Sequence, residues 1–175
     1  LEPERAETQL PRLLEEAVEV VRGTDPAPRA TVTSKVDPSL GPLVTDAGLL
    51  RQILVNLIAN ALDAVDRSGK VEIAATAEDN DVLITVSDTG HGIAPDDLRR
   101  IFEPFYTTKE RGKGTGLGLA ICRQLTAALG GTISVQSQPG QGSTFYVRLP
   151  RDGAPAGATS STTQPRLRIA TGGAK

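Results

Sequence analysis

Four polar side chains recur along one predicted helix at intervals that place them on a common face. In the segment 46–66 they are separated by three or four residues, which at about 100° per residue gives a stripe roughly 80° wide. The four residues are Gln52, Asn56, Asn60 and Asp63. Asparagine is a poor helix former, so Asn56 and Asn60, one turn apart, carry a local cost. Their amide oxygens suit a hard cation such as Mg²⁺ that already holds phosphates and water. A solvated helix face would show the same spacing.

A carboxylate follows a predicted buried strand. The segment 82–87 alternates β-branched residues on one face, and Asp88 continues that face. An ionised carboxylate on the core side is costly unless donors satisfy it. The sequence DTGHGI (88–93) then turns, with two glycines that let a ligand approach the backbone closely. Two interpretations remain: an Asx turn that ends the strand, or a carboxylate that accepts a hydrogen bond from an amine such as that of adenine. We interpret His91 as a turn residue near the site, because it shows no partner for general-base catalysis.

Alternating glycines open another predicted helix. The sequence GKGTGLGL (112–119) leads into a helix predicted over 116–129, with Thr115 as its N-cap. A helix N-terminus offers unpaired N–H groups and a positive dipole end, which suit phosphate. Neither a P-loop nor a Rossmann fingerprint fits, because Gly114 stands where the first needs Ser or Thr, and Leu119 where the second needs glycine. A flexible, charged loop is the alternative. Three basic residues lie at or just before the glycines: Lys109, Arg111 and Lys113.

The elements that position these residues follow from hydrophobic periodicity. Strands are predicted at 30–35, 71–76, 82–87, 132–137 and 143–149, and helices at 46–66, 95–101 and 116–129. A further helix stripe consists of Leu10, Leu13, Leu14, Ala17, Val18 and Val21, and ends at 23–26. Interleaved helices and late consecutive strands predict a two-layer α/β sandwich, in which a mixed, mostly antiparallel sheet packs on about three helices.

Composition narrows the class of protein. The 175 residues carry 19 basic and 21 acidic side chains, which argues against a dedicated nucleic-acid surface. One cysteine and one histidine exclude an intramolecular disulfide and a Cys- or His-rich metal site. No apolar run approaches the roughly 20 residues of a membrane helix, so we expect a cytoplasmic fragment of a longer protein that makes no membrane contact itself. We expect a helix and connection at 1–27, one domain at 28–150 and a flexible low-complexity tail at 151–175.

Five motifs in a fixed order carry a resemblance to a known family. The blocks NLIANA (56–61), DTGHGI (88–93), FEPFYTTK (102–109), GTGLGL (114–119) and GQGSTF (140–145) resemble its N, G1, F and G2 boxes and its closing strand motif. Over residues 10–150 the chain resembles the catalytic and ATP-binding domain of bacterial sensor histidine kinases, within the GHKL superfamily. The resemblance implies the GHKL ATP-binding fold, with ATP or ADP and Mg²⁺ as its ligands.

The resemblance also implies residue roles. Asn60 would coordinate Mg²⁺, Asn56 would support the metal or the phosphates, and Asp88 would bind the adenine amino group, with Gly92 closing on the ring. The segment 102–115 would be a mobile ATP lid, called the lid segment below. The implied nucleotide-binding residues are Asn56, Asn60, Asp63, Asp88, Gly90, Gly92, Ile93, Phe105, Thr108, Lys109, Lys113, Gly114, Thr115, Gly116, Leu117, Gly118, Leu119 and Ser143. Of these, the implied catalytic residues are Asn56, Asn60 and Lys109, and Lys109 would contact a phosphate.

Two of these positions depart from the pattern. At the position of Asp63, some histidine kinases have a basic or amide residue that contacts phosphate. A carboxylate can contact phosphate only through a metal ion or a water molecule. Ser143 stands where many relatives have Thr, and it shares a strand face with Phe145 and Val147, so we expect a hydroxyl that faces the core.

The chemistry favoured by the motifs is phosphoryl transfer. GHKL ATPases resemble one another in a Glu base one turn before the metal Asn, and Asn56 stands there instead. Transfer to a neutral imidazole needs mainly positioning and charge neutralisation. Because the only histidine lies in a nucleotide motif, the resemblance implies an acceptor histidine on a separate dimerisation domain, a response regulator receiver domain as partner, a monomeric fragment and a homodimeric parent.

Three alternatives stay open at this point. They are a GHKL-type ATPase with conformational coupling, a non-catalytic nucleotide-dependent interaction module, and a serine-directed kinase of the same superfamily. We expect ATP binding with little turnover by the chain alone. The sequence leaves open whether the parent is anchored in a membrane.

Overall fold

The computed structural model describes residues 1–24 and 30–153. The strands are β1 (Ala6–Thr8), β2 (Thr31–Val36), β3 (Leu43–Thr45), β4 (Lys70–Glu78), β5 (Asp81–Asp88), β6 (Thr132–Gln138) and β7 (Gly142–Pro150). The helices are α1 (Leu10–Thr24), α2 (Ala47–Ala64), α3 (Pro95–Leu98) and α4 (Gly118–Ala128).

Five strands form a mixed sheet in the order β2-β4-β5-β7-β6, in which β2 and β4 are parallel and the other neighbours are antiparallel. Alternate residues of β5 are buried, as expected for a sheet covered on one face. Helices α1, α2 and α4 pack against the sheet. The predicted two-layer α/β sandwich with a mixed, mostly antiparallel sheet is therefore confirmed.

Helix α2 forms the spine of the core. Asp46 caps its N-terminus, because the Oδ1 atom accepts a hydrogen bond from the backbone N–H of Leu49 at 3.1 Å. Burial of each large aliphatic side chain stabilises the fold by about 1.5–3 kcal/mol, which anchors the opposite, polar face of the helix. The buried residues of α2 are Leu50, Ile53, Leu54, Leu57, Ile58 and Ala61.

Helix α1 belongs to the same hydrophobic core. Its predicted apolar stripe is buried except for the half-buried Val18, and it packs on α2. Strand β1 pairs with β3, and the backbone N–H of Glu4 donates to the second carboxylate oxygen of Asp46 at 2.8 Å. The predicted division of the chain at residue 27 stays a prediction, and the tail predicted from residue 151 lies mostly outside the described residues.

The structure corrects several predicted boundaries. Helix α4 begins at Gly118 with Leu117 as its N-cap, so the prediction of Thr115 as N-cap was wrong. The reason is Gly116, whose φ of 68° is left-handed and cannot continue a helix in either direction. The short helix predicted over 95–101 ends at Leu98 and continues as turns. Strands β1 and β3 were not predicted.

The helices also bear on membrane contact. Within residues 1–24 and 30–153, none of them has the length and apolar character required to cross a bilayer.

Candidate functional site

A cavity of about 1270 Å³ lies between α2, the end of β5, the lid segment and the start of α4. It brings together residues that are far apart in the sequence and come from all five motifs. The predicted nucleotide-binding residues that line it are Asn56, Asn60, Asp63, Asp88, Ile93, Thr108, Lys109, Lys113, Gly114, Thr115, Gly116, Gly118, Leu119 and Ser143.

Four other predicted nucleotide-binding residues are not part of the lining: Gly90, Gly92, Phe105 and Leu117. Both glycines lie in the turn after β5, against the backbone of Ala64 and Gln138 respectively. The Phe105 side chain is 76% exposed, because its left-handed φ of 67° and a hydrogen bond from its N–H to the Gly116 carbonyl (2.9 Å) turn it outward. Phe105 therefore makes no part of the cavity wall.

The amides of α2 form the polar floor of the cavity. Asn56 Nδ2 donates to the carbonyl oxygen of Gly118 at 3.5 Å, and its side chain also contacts the thiol of Cys122. Burial raises the pKa of Cys122 to about 12, so this thiol is a neutral packing group behind the site. These contacts fix the Asn56 side chain against the first turn of α4. Asn56 lies on α2, one helical turn before Asn60.

The side-chain ammonium of Lys109 lies at the next turn of α2, against the polar floor of the cavity. The ammonium of Lys109 is 2.6 Å from Asp63 Oδ2 and donates to Asn60 Oδ1 at 3.5 Å. Within the described residues, no group of three or more His, Cys, Asp or Glu could hold a metal by itself. Amide and carboxylate oxygens that attract an ammonium suit Mg²⁺ that brings phosphates and water with it. Asn60 Oδ1 and Asp63 Oδ2 are the oxygens of this floor that such an ion would meet.

Asp88 forms the opposite, deeper end of the cavity and is 8% exposed. Its Oδ1 atom accepts from the backbone N–H of Gly90 at 2.8 Å, so the Asx turn expected from the sequence is present. Burial raises the pKa of Asp88, and the N–H groups of Gly90 and Ser143 and the nearby His91 partly oppose that rise. The carboxylate also lines the cavity, so the Asx turn does not remove it from the site.

A pair of serines supports this end of the cavity. Ser137 Oγ donates to the carbonyl oxygen of Gly142 at 2.9 Å and accepts from the N–H of Ile93 at 2.8 Å. Ser143 lies 2.9 Å from Ser137 Oγ and must be the donor of that bond, because the hydrogen of Ser137 is engaged. Ser143 is 6% exposed, so its hydroxyl faces inward, as the strand alternation predicts.

Apolar wall residues were not singled out from the sequence: Ala59, Ala64, Ile101, Tyr106 and Phe145. The Tyr106 hydroxyl donates to Asp97 Oδ1, and the Arg100 guanidinium lies 4.3 Å from the centre of its ring. Strand alternation puts Phe145 on the same face as Ser143, a signal that could have found it. Tyr106 offered only its place in the FEPFYTTK motif. The other lining residues that the sequence did not single out are Thr107, Glu110 and Gly112, and His91, expected near the site, also lines the cavity.

Two glycines join the turn after β5 to the β6–β7 turn. Gly92 has φ of 70°, and a Cβ there would overlap the carbonyl oxygen of Gln138. Gly140 has φ of 77°, but a Cβ there would meet no atom within 4 Å. Its N–H donates to the carbonyl oxygen of His91 at 2.8 Å. An alanine at either position would therefore have an unfavourable backbone φ. Only the alanine at position 92 would also overlap a neighbouring atom.

We expect Gly92→Ala to destabilise the fold more than Gly140→Ala does. The left-handed φ costs alanine about 1–2 kcal/mol at either position. Overlap with the Gln138 backbone adds about 1–3 kcal/mol at Gly92 alone. Urea unfolding of both variants measures the difference in the free energy of unfolding. Equal losses would contradict a close approach of the two turns.

Comparison with known proteins gives the site a family. The model of the family described as "Histidine kinase-, DNA gyrase B-, and HSP90-like ATPase" matches residues 45–153. Sensor histidine kinase ZraS of Escherichia coli (strain K12) is 44% identical over 112 residues, 64% of this chain and 24% of the relative. Signal transduction histidine-protein kinase AtoS of the same strain is 37% identical over 145 residues, 82% of this chain and 24% of the relative.

Solved structures agree with the sequence relatives. Full-length ShkA in complex with AMPPNP has a TM-score of 0.78 at 36% identity, covering 89% of this chain and 33% of that chain. The nucleotide-free catalytic domain of histidine kinase ThkA has a TM-score of 0.76 at 29% identity, covering 86% of this chain and 97% of that domain. The chain spans about a quarter of the length of the curated relatives it matches. It belongs to the histidine kinase-, DNA gyrase B- and HSP90-like ATPase family, and it has the fold of the catalytic domain of sensor histidine kinases.

Proposed function

We propose that this chain binds ATP together with Mg²⁺ and donates the γ-phosphoryl group to a histidine on a separate domain of its parent protein. The single observation that carries the proposal is the cavity itself. One end holds a buried carboxylate, the other holds two amides and a lysine, and a glycine-rich loop leads into a helix between them. The carboxylate suits the amine-bearing base of ATP, and the amides, the lysine and the helix N-terminus suit its polyphosphate and a bound cation.

The adenine is proposed to lie at the Asp88 end. Oδ1 of Asp88 accepts from the N–H of Gly90, and the N–H of Ser143 also contacts the carboxylate. An ionised carboxylate has about four acceptor positions, so Oδ2 is proposed to accept a hydrogen bond from the exocyclic amine of the base. The apolar side chains of Ile93, Ile101 and Phe145 would cover the ring. A buried acceptor of this kind disfavours a base that offers a carbonyl oxygen at the same place, because two acceptors would face each other.

The polyphosphate is proposed to lie between α2 and the first turn of α4. The N-terminal N–H groups of α4 and the ammonium of Lys109 supply positive charge there. Asn60 would hold Mg²⁺, and Asn56 would orient the neighbouring phosphate or a water. When bound, Mg²⁺ neutralises charge on the phosphates. The residues of the chain would hold the terminal phosphate in place.

In the transfer step a nitrogen of a neutral imidazole attacks the γ-phosphorus. The N–P bond forms, the bond between the γ-phosphorus and the β,γ-bridging oxygen breaks, and ADP leaves with that electron pair. The chain has one histidine, His91, and it lies in the nucleotide cavity. The acceptor is therefore proposed to lie on a dimerisation domain of the parent homodimer, and a response regulator receiver domain is proposed to take the phosphoryl group next.

The residue at position 56 argues against ATPase activity. The ATPases that the chain resembles have a Glu base at this position, and a carboxamide cannot take a proton from the attacking water. Asn56 is also engaged with the Gly118 carbonyl and the Cys122 thiol. We propose that ATP binding by the chain alone produces little turnover.

Two measurements test the proposed function. Isothermal titration with Mg-ADP is expected to give saturable binding, and the absence of heat at millimolar nucleotide would overturn the proposal.

In the second measurement, the chain is mixed with the histidine-bearing domain of its parent and labelled ATP. Label that reaches the protein and is lost in acid supports a phosphohistidine. Acid-stable label would support a serine-directed kinase, and steady phosphate release without label would support an ATPase. Saturable binding with neither label nor phosphate release would support a non-catalytic nucleotide-dependent module.

A further inference from the structure

The carboxylate of Asp63 has no role in the scheme above. It lies three residues after Asn60 on α2, beside the proposed phosphate site. A carboxylate at that place repels phosphate, so its presence opposes nucleotide binding unless it acts through a cation. The cation in contact with it is the ammonium of Lys109, at 2.6 Å from Oδ2.

Lys109 connects the lid segment to α2. Its side chain comes from the lid segment, where its N–H donates to Thr107 Oγ1 at 3.1 Å. Its ammonium ends on α2, where it contacts Asp63 and also donates to Asn60 Oδ1 at 3.5 Å. The lysine proposed to bind phosphate therefore lies over the oxygen proposed to bind Mg²⁺.

We propose that Asp63 is a positioning residue that holds the Lys109 ammonium over Asn60 in the nucleotide-free chain and releases it to the terminal phosphate of ATP. This inference rests on the proposed function, because the polyphosphate is the anion that competes for the lysine. Binding of ATP exchanges one ion pair for another and frees Asn60 Oδ1. The arrival of nucleotide is thereby coupled to movement of the lid segment away from α2.

The exchange predicts that Asp63→Asn strengthens the binding of ATP. The affinity is measured by isothermal titration in EDTA, so that Mg²⁺ does not contribute. Asp63 is 59% exposed and Lys109 is 36% exposed, so solvent screens the pair and the expected gain is about two- to fivefold. An unchanged or weaker affinity would overturn the exchange.

A double-mutant cycle separates exchange from simple charge repulsion. In a Lys109→Ala background there is no ammonium to release, so Asp63→Asn is expected to give a clearly smaller gain. The same gain in both backgrounds would mean that Asp63 repels phosphate directly, and the exchange would be refuted. Glu78→Gln is the matched control, because Glu78 forms a similarly exposed ion pair with Arg148 away from the cavity.

Limited trypsin digestion tests the same inference without nucleotide. The lid segment contains tryptic sites after Lys109, Arg111 and Lys113, and cleavage after Arg111 and Lys113 is followed because the Lys109 side chain itself takes part in the contact. Asp63→Asn is expected to speed cleavage there severalfold, whereas Asp63→Glu, which keeps the charge, and Glu78→Gln are expected to retain the wild-type rate. An unchanged rate in Asp63→Asn would overturn the restraint on the lid. If the wild-type chain binds no ATP yet Asp63→Asn is cleaved faster, the proposed function fails while the restraint stands.

Discussion

Replacing Asp88 by asparagine is expected to lower the affinity for ATP by about 10- to 100-fold, the loss typical of a hydrogen bond to a buried charged group. The reason is the direction of the hydrogen bonds. The N–H of Gly90 requires an acceptor and already uses Oδ1 of Asp88 at 2.8 Å. The asparagine amide would keep its oxygen there and turn its NH₂ into the cavity, where it would face the amine of adenine. Two donors would then oppose each other.

The same variant is expected to keep or raise the thermal stability of the nucleotide-free chain. Because burial raises the pKa of Asp88 above 3.8, the folded chain favours the neutral acid more than the unfolded chain does. The ionised carboxylate thus costs stability at neutral pH, and this cost disappears as the pH falls below the unfolded pKa. An amide of the same shape removes the cost at all pH values. Loss of binding combined with a lower melting temperature would contradict the argument.

A pH titration of nucleotide affinity extends the test. Protonation of Asp88 removes the acceptor, so wild-type affinity is expected to fall as the pH drops toward the raised pKa of this residue. Asp88→Asn is expected to lack that component. Asp81→Asn, on the same strand but next to Arg148 at its exposed end, is the matched control and should follow the wild-type curve.

Strong periodicity and short-range capping made much of the fold predictable. Helix α2 was predicted over 46–66 and observed at Ala47–Ala64, because its apolar face spans five turns and Asp46 is a typical N-cap. Strands β1 and β3 have three residues each, which is too short for alternation to register. They exist because they pair with each other across more than 30 residues, a contact that no local pattern encodes.

The site was predictable where chemistry is concentrated in a motif and less so where it depends on packing. Asn60 and Asp88 stand out by type and spacing, and both line the cavity. Phe105 belongs to an equally clear motif, yet its backbone conformation turns it to solvent. Tyr106 lines the wall because Asp97 holds its hydroxyl, a contact between α3 and the lid segment that appears only in three dimensions.

Asn60→Ala is expected to reduce phosphoryl transfer to the histidine-bearing domain by about 100-fold or more. Asn60 is the proposed protein ligand of Mg²⁺. By neutralising charge on the phosphates, the ion lowers the free-energy barrier to phosphoryl transfer by several kcal/mol. The amide oxygen points into the cavity, as its contact with the Lys109 ammonium indicates. Transfer is measured from labelled ATP at saturating nucleotide, so that a change in affinity does not enter the rate.

The binding of ADP separates this role from a general effect on the fold. In EDTA the affinity of Asn60→Ala is expected to stay within about threefold of wild type, since the proposed contacts of the adenine are elsewhere. The gain in affinity that Mg²⁺ gives the wild-type chain is expected to disappear. Gln52→Ala is the control, because Gln52 lies on the same polar stripe of α2 but is exposed and outside the cavity. A Mg²⁺ gain retained in Asn60→Ala would move the metal ligand to another residue, and transfer at the wild-type rate would remove Asn60 from the mechanism.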